Sequence, residues 1–431
     1  MSQSSQQMFS NANNPTFHGG QFSNVQGDMH IHSVATERYG LKLLLQNIVP
    51  GALHDAAERD DQPGCHENTR FAILKEIMDW LQDPNAREEF IYWLYGPAGS
   101  GKTSIAQSIA EALAKLGLRV LAASFFFWRS AAGRNTSKHF VTTIAYQLSR
   151  NLSAMADALY TAIENDPIIF SKSLETQFQV LIINPLKTAL QRPLPRETPE
   201  RIVIIMDGVD ECSPPESQVE LLGFLRTAVE EFQSIPIPFL CLVSSRPEYE
   251  IRSTFADSNP LGALTTKLAL DNDYRTNLDI RFYIVSKFNK IRDEHLQLGS
   301  KLPTPWPADH DVDYIVEKAS GQFIFAATAM KFIDDPRSDP VERFSIILGL
   351  SRPGPGQMPF DSLDELYRTI LASITPDILP KVLDIFSLIL LGPNIGLPTD
   401  LDVNIVRALL TLDSHKTLLD MHALVHVPPP Q

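Results

Sequence analysis

Residues 96–103 read Gly96-Pro97-Ala98-Gly99-Ser100-Gly101-Lys102-Thr103, which fits G-x-x-x-x-G-K-[ST], the phosphate-binding loop. The loop needs a strand before it and a helix after it, and both are legible. Phe90-Ile91-Tyr92-Trp93-Leu94-Tyr95 is an apolar, aromatic run of strand length, and Ser104 to Leu113 has helical spacing and strong helix formers. Glycines let the backbone curl and bring its N–H groups to phosphate, and the helix N-terminus adds a partial positive charge. Gly96, Pro97, Ala98, Gly99, Ser100, Gly101, Lys102, Thr103 and Ser104 are therefore the expected nucleotide contacts. Lys102 is suited to the β- and γ-phosphates, and the Thr103 hydroxyl to Mg²⁺.

A phosphate loop calls for an acid at the end of a neighbouring strand, because ligands of open parallel sheets sit at the carboxyl ends. Ile202-Val203-Ile204-Ile205-Met206 is a β-branched run that delivers Asp207, followed by Gly208-Val209-Asp210-Glu211. Asp-Gly alone fits a turn; with the loop upstream, Asp207 is the expected Mg²⁺ residue beside Thr103. Pro238 to Val243 reads as a further strand ending in Ser244-Ser245-Arg246-Pro247. Arg246 at that tip fits two roles, reporting the γ-phosphate or forming a structural ion pair with Asp210 or Glu211.

The rest of the chain bounds the function class. Its 431 residues exceed one typical domain, and 44% apolar residues are ordinary for a globular protein. The net charge of -14 argues against binding nucleic acid or an anionic membrane through bulk charge. The three cysteines, Cys65, Cys212 and Cys241, have neither metal-ligand nor disulfide-framework spacing, which suits a reducing compartment. No secretory leader and no membrane-length apolar run is legible, so a soluble, cytoplasmic chain is expected.

Residues 1–35 read as a polar, flexible tail in which Phe22 to Val25 and Met29 to His32 form short β-capable runs broken by glycine. His18, His30 and His32 have no acidic or thiol partner at useful spacing, so they carry no metal assignment. A helical linker follows at 36–88, in which Asn68 or Thr69 is the expected cap of a helix starting near Phe71. Residues 89–271 form the nucleotide domain: Arg119 to Trp128 as second strand, helices over 136–165 and from Leu174 to Leu190, a proline-broken loop to Pro199, a helix at 216–233 and a fifth strand at Leu264 to Leu270. Residues 272–350 read as a helical subdomain. After the breaker-rich linker Arg352 to Pro359, residues 356–431 read as helical or winged-helix-like.

Together these residues resemble the NACHT NTPases of the STAND class, nearest to the fungal proteins with a nephrocystin-like N-terminal NTPase domain. The resemblance rests on the phosphate loop, Ser124-Phe125-Phe126-Phe127, Ile202 to Glu211, Ser244 to Pro247, Gly321-Gln322-Phe323-Ile324-Phe325-Ala326 and Leu363-Asp364-Glu365-Leu366-Tyr367. Its discriminator is Asp207-Gly208-Val209-Asp210-Glu211: a small residue where many ATPases place a catalytic Glu, and an acidic pair three and four positions after the aspartate. The resemblance implies an α/β fold with a five-stranded parallel sheet, a helical subdomain, and a switch between a resting ADP state and an ATP state that self-associates in innate-immunity-like signalling. It implies that Thr69 and Arg70 lie near the nucleotide. It also implies a C-terminal sensor of WD, ankyrin or tetratricopeptide repeats, which these residues do not include, so the C-terminal region is expected to be truncated.

The expected activity is slow hydrolysis of ATP, ahead of GTP, with Mg. Asp210 or Glu211 would orient or deprotonate water, since Gly208 cannot. An unidentified protein partner and self-association are expected, but no nucleic acid or membrane. Two rivals stand beside this: a nucleotide-stabilised scaffold that does not hydrolyse, and a small-molecule kinase using the same loop.

Overall fold

The computed structural model describes residues 38–391 apart from 60–63, 84–88, 118–119, 191–199, 234–236, 271–273, 298–301, 304, 336–337, 350–360 and 373–377. The β-capable N-terminal runs, the three N-terminal histidines, the loop to Pro199, the linker at 352–359 and everything after Leu391 lie outside the described residues.

Five strands, β1 (Ile91–Tyr95), β2 (Val120–Phe126), β3 (Arg201–Asp207), β4 (Phe239–Ser245) and β5 (Thr265–Ala269), form one sheet in the order β2-β3-β4-β1-β5. Each neighbouring pair is parallel. Strands covered on both faces must be apolar at every position. Accordingly β4 is buried throughout and β3 at all but its first residue. β5, at an edge, is half-exposed after Thr265 and carries Lys267, the polar composition that protects an open edge.

The helices, in chain order, are α1 (Tyr39–Leu45), α2 (Phe71–Gln82), α3 (Lys102–Lys115), α4 (Phe140–Asn151), α5 (Ser153–Asn165), α6 (Leu174–Phe178), α7 (Asn184–Leu190), α8 (Pro215–Phe232), α9 (Tyr249–Thr254), α10 (Pro260–Ala263), α11 (Tyr274–Gln297), α12 (Asp309–Ala319), α13 (Phe323–Ile333), α14 (Pro340–Leu348), α15 (Asp361–Ala372) and α16 (Leu379–Leu391). Side chains alternate across each strand and divide the sheet into two cores. Ile91, Trp93, Phe125, Ile204, Met206 and Val243 face α4, α5 and α8, joined by Leu44 of α1 and Ile182. Tyr92, Leu94, Val203, Ile205 and Leu242 face α2 and α3. A third core, around Ile284, Phe288, Trp306, Phe325 and Phe332, belongs to the bundle α11–α15.

Three details differ from the sequence reading. Neither Asn68 nor Thr69 caps α2. The cap position is Arg70, left-handed at φ 57°, without a side-chain cap bond, and the Thr69 hydroxyl donates to His66 O at 2.6 Å instead. The helical span 136–165 breaks at Leu152, which is extended. The helix from Leu174 to Leu190 contains a π-helical stretch at Gln179–Ile183, in which Leu181, Ile182 and Ile183 are buried in the core. Gly117, just after α3, has φ 61°, the left-handed conformation that terminates helices.

α1 docks through Gly40, where a Cβ would lie 2.3 Å from Tyr160 O of α5. Backbone cannot retreat as a side chain can. Gly40→Ala is expected to destabilise the chain by about 1–3 kcal/mol, read as a lower urea midpoint; an unchanged midpoint would refute the close approach.

Candidate active site

The site lies at the carboxyl ends of β1, β3 and β4. Because β4 is inserted between β3 and β1, the phosphate loop after β1, the acid after β3 and the polar tip of β4 share one edge. The loop turns through Gly99 at φ 74° and Gly101 at φ 90°, conformations that favour glycine. Lys102 Nζ is folded back on the loop and donates to Gly96 O and Pro97 O, each at 2.8 Å. Burial lowers the Lys102 pKa, and the nearby carboxylates of Asp210 and Asp207 oppose that shift.

Asp207 ends β3 almost wholly buried. It accepts a hydrogen bond from the Ser244 hydroxyl of β4, and the Thr103 hydroxyl at the start of α3 is near enough to act on it. Burial raises its pKa, and the hydroxyls of Ser244 and Thr103 work in the opposite direction. Thr103 and Asp207 thus stand beside each other at the carboxyl edge of the sheet. Their donors are hard oxygens, the kind that Mg²⁺ takes. Among the described residues no group of three or more His, Cys, Asp or Glu is placed to hold a metal. One carboxylate and one hydroxyl, completed by phosphate and water, is the set Mg²⁺ uses beside a nucleotide.

Gly208 takes φ 72°, and the chain turns through Val209–Glu211. The acidic pair divides there. Buried Asp210 receives the Arg246 backbone N–H at 2.9 Å and pairs with Arg246 Nε at 3.2 Å. Of the two roles open to Arg246, the ion pair with Asp210 is the one formed here; its side chain remains 44% exposed. Glu211 accepts the Arg129 N–H at 2.9 Å, while the Arg129 guanidinium reaches Asp210 O at 3.0 Å. Burial raises the Glu211 pKa and so strengthens that carboxyl as a proton acceptor.

Thr69 and Arg70 fare differently. The Thr69 hydroxyl is spent within its own turn. Arg70 reaches the phosphate loop, donating from Nη2 to Ser100 O at 2.9 Å. Pro97, Ala98 and Ser104 lie in or beside the loop.

Sequence reading assigned nothing to Arg59, Arg129, Arg134 or the Ser244 hydroxyl. Arg59 is buried 3.6 Å over the Phe126 ring, bonded to Gln107 Oε1 at 3.1 Å, and its charge acts on Asp207. Burial lowers its pKa to about 10. Arg134, also buried, donates from Nε to Phe126 O at 3.0 Å. Its two terminal nitrogens have no hydrogen-bond partner among the described residues. Ser244 is visible as a polar residue at a strand tip; Arg59 ends a short 3-10 turn and Arg129 and Arg134 sit in a loop, with no pattern that marks them.

Residues 69–246 match the family model described as nephrocystin 3, N-terminal. The match runs from the turn before Arg70 to the tip of β4. No curated protein matches the chain. Among solved structures, a Walker-type ATPase of Pyrococcus abyssi is similar at 13% identity and TM-score 0.40, covering 83% of this chain and 92% of that one. The ORC2 protein of Aeropyrum pernix, solved as ADPNP–ADP complexes, is similar at 16% identity and TM-score 0.37, covering 87% and 86%. No described helix is long and apolar enough to cross a membrane.

Proposed function

We propose that the chain is a nucleotide-operated switch of the NACHT and STAND type that binds ATP with Mg²⁺ and hydrolyses it slowly. One observation carries the reading: Asp207, buried at the end of a parallel strand, stands close enough to Thr103, the residue after the loop lysine, for that hydroxyl to act on its carboxyl. That pairing joins two segments a hundred residues apart into the oxygen set a nucleotide-bound Mg²⁺ requires.

In this reading Thr103 and Asp207 hold Mg²⁺, and Lys102 leaves the loop carbonyls for the β- and γ-phosphates. The metal supplies charge neutralisation on the phosphate oxygens. Glu211, its proton affinity raised by burial, positions the attacking water and takes its proton. Arg246 lies on the same edge, and exchanging Asp210 for the γ-phosphate would make the ion pair a readout of triphosphate.

One observation favours the non-hydrolysing scaffold as a second reading. Both acids already have protein donors, Asp210 from Arg246 and Glu211 from Arg129. Water must displace Arg129 N–H or use the other Glu211 oxygen, which agrees with slow turnover and, at the limit, with none. Self-association on ATP binding, an innate-immunity-like output and a protein signalling partner belong to this proposal through the sequence resemblance.

The test is the nucleotide found with the purified chain, followed by Mg·ATP and Mg·GTP titrations and a turnover assay. Bound ADP or ATP and measurable release of phosphate are expected; a chain that binds no nucleotide sinks the reading, and binding without turnover selects the scaffold. Removing Mg²⁺ with EDTA is expected to weaken ATP binding by about tenfold or more, because the phosphate charge then lacks its counter-ion. Equal affinity with and without the metal would remove Thr103 and Asp207 from that role.

A further inference from the structure

Arg70 is left-handed at φ 57°, a conformation that non-glycine residues seldom adopt, and it is only 5% exposed. Hydrogen bonds to two other parts of the chain hold it there. Its N–H donates to Asp279 Oδ2 at 3.1 Å and Nη1 to the Thr276 hydroxyl at 2.9 Å, both on α11. Nη2 donates to Ser100 O at 2.9 Å. The guanidinium also lies 5.0 Å from the Phe323 ring of α13. One buried charge therefore joins the linker, the phosphate loop and the helical bundle.

The bond to Ser100 O has a geometric consequence. A trans peptide is planar, with its C=O and N–H pointing in opposite directions. Fixing the Ser100 carbonyl on Arg70 therefore aims the Gly101 N–H away from Arg70. Gly101, at φ 90°, lies where a peptide can rotate without a side-chain clash, so its orientation needs an external hold. A Cβ on Gly101 would meet nothing within 4 Å, so space is open beside its Cα.

We infer that Arg70 is a positioning residue: it turns the Ser100–Gly101 peptide so that the Gly101 N–H faces the phosphate, and it ties that orientation to α11 through Thr276. The inference rests on the nucleotide-binding reading above. It adds that the bundle sets the phosphate affinity of the loop without touching the phosphate. The loop backbone serves the α- and β-phosphates, which ADP and ATP share. Loss of the Arg70 hold therefore weakens both nucleotides by the same factor, whereas loss of a contact to the γ-phosphate would penalise ATP alone.

The experiment uses the full chain, with Mg·ATP and Mg·ADP titrated into wild type, Arg70→Gln, Arg70→Lys, Thr276→Val and the Arg70→Gln/Thr276→Val double variant. Melting midpoints are recorded for each. Arg70→Gln is expected to weaken both nucleotides by about tenfold or more, the scale of one lost charge-assisted amide contact. Arg70→Lys recovers only part of this, since one ammonium cannot serve Ser100 O and Thr276 in the same fork. Thr276→Val preserves shape and leaves Arg70 in place, so it stays informative if the Arg70 variants fold poorly. It is expected to weaken both nucleotides by about threefold or more, near the lower end of energetic couplings between sites. In the Arg70→Gln background it should have no further effect.

Equal affinity in wild type and Thr276→Val, or the same factor for Thr276→Val with and without Arg70, overturns the inference. So do variants with lowered melting midpoints and unchanged affinities, which mark a merely structural arginine. A wild-type chain that binds neither nucleotide overturns the underlying reading and this inference with it.

Discussion

Lys102→Ala is expected to lower Mg·ATP affinity by roughly 100-fold or more, the equivalent of about 3 kcal/mol. In the present structure Lys102 Nζ bonds two loop carbonyls. On meeting phosphate it exchanges two neutral acceptors for charged ones, so the number of hydrogen bonds need not change while their strength does. Surrounding acids make the exchange favourable only if the phosphate charge is itself balanced, which is the part assigned to Mg²⁺. The alanine variant should fold, because burial already disfavours the lysine charge and the loop glycines are untouched. Calorimetric titration decides it: affinity within about twofold of wild type, against the expected loss, would end the phosphate role of the loop.

Glu211→Gln is the second large effect. Turnover is expected to fall by about 10²–10⁴, the usual worth of a positioned base, with ATP affinity changed by less than about threefold. Gln retains an oxygen for the Arg129 N–H at this position, so the turn after β3 keeps its tie. Only the capacity to take a proton is lost. Unchanged phosphate release in a single-turnover assay would exclude Glu211 as base, whereas no release from wild type or variant would leave the scaffold reading in front, with Asp210 held by Arg246.

Legibility in the sequence followed locality. The phosphate loop, Asp207 and all five strands could be read because each depends on a continuous run: glycine spacing, a β-branched stretch, an apolar stretch ended by polar residues. The start of α2 was misread because Asn68 and Thr69 are good capping types, while the position went to Arg70, whose backbone is fixed by α11 rather than by local preference. Arg59, Arg129 and Arg134 were invisible for the same reason. Each acts on the acid cluster from a turn or loop whose place depends on packing across the sheet. For Arg246 the sequence offered two roles at one tip, and only geometry could show which one is formed in this state.

The residues that brace the phosphate loop bear on the order in which the molecule can be assembled. A nascent chain grows from its N-terminus and its domains generally fold as units in that order. A chain ending at Ala269 has every strand of the sheet and the whole loop, but lacks Thr276, Asp279 and Ile324. Ile324 is the residue whose side chain would meet a Cβ on Gly99 at 2.4 Å. Closing contacts that span more than 200 residues is entropically costly and comes late. A ligand stabilises only the state that binds it. Nucleotide can therefore favour completion of this fold, but it has little hold on the half-synthesised chain, whose loop is present in sequence before its supports exist.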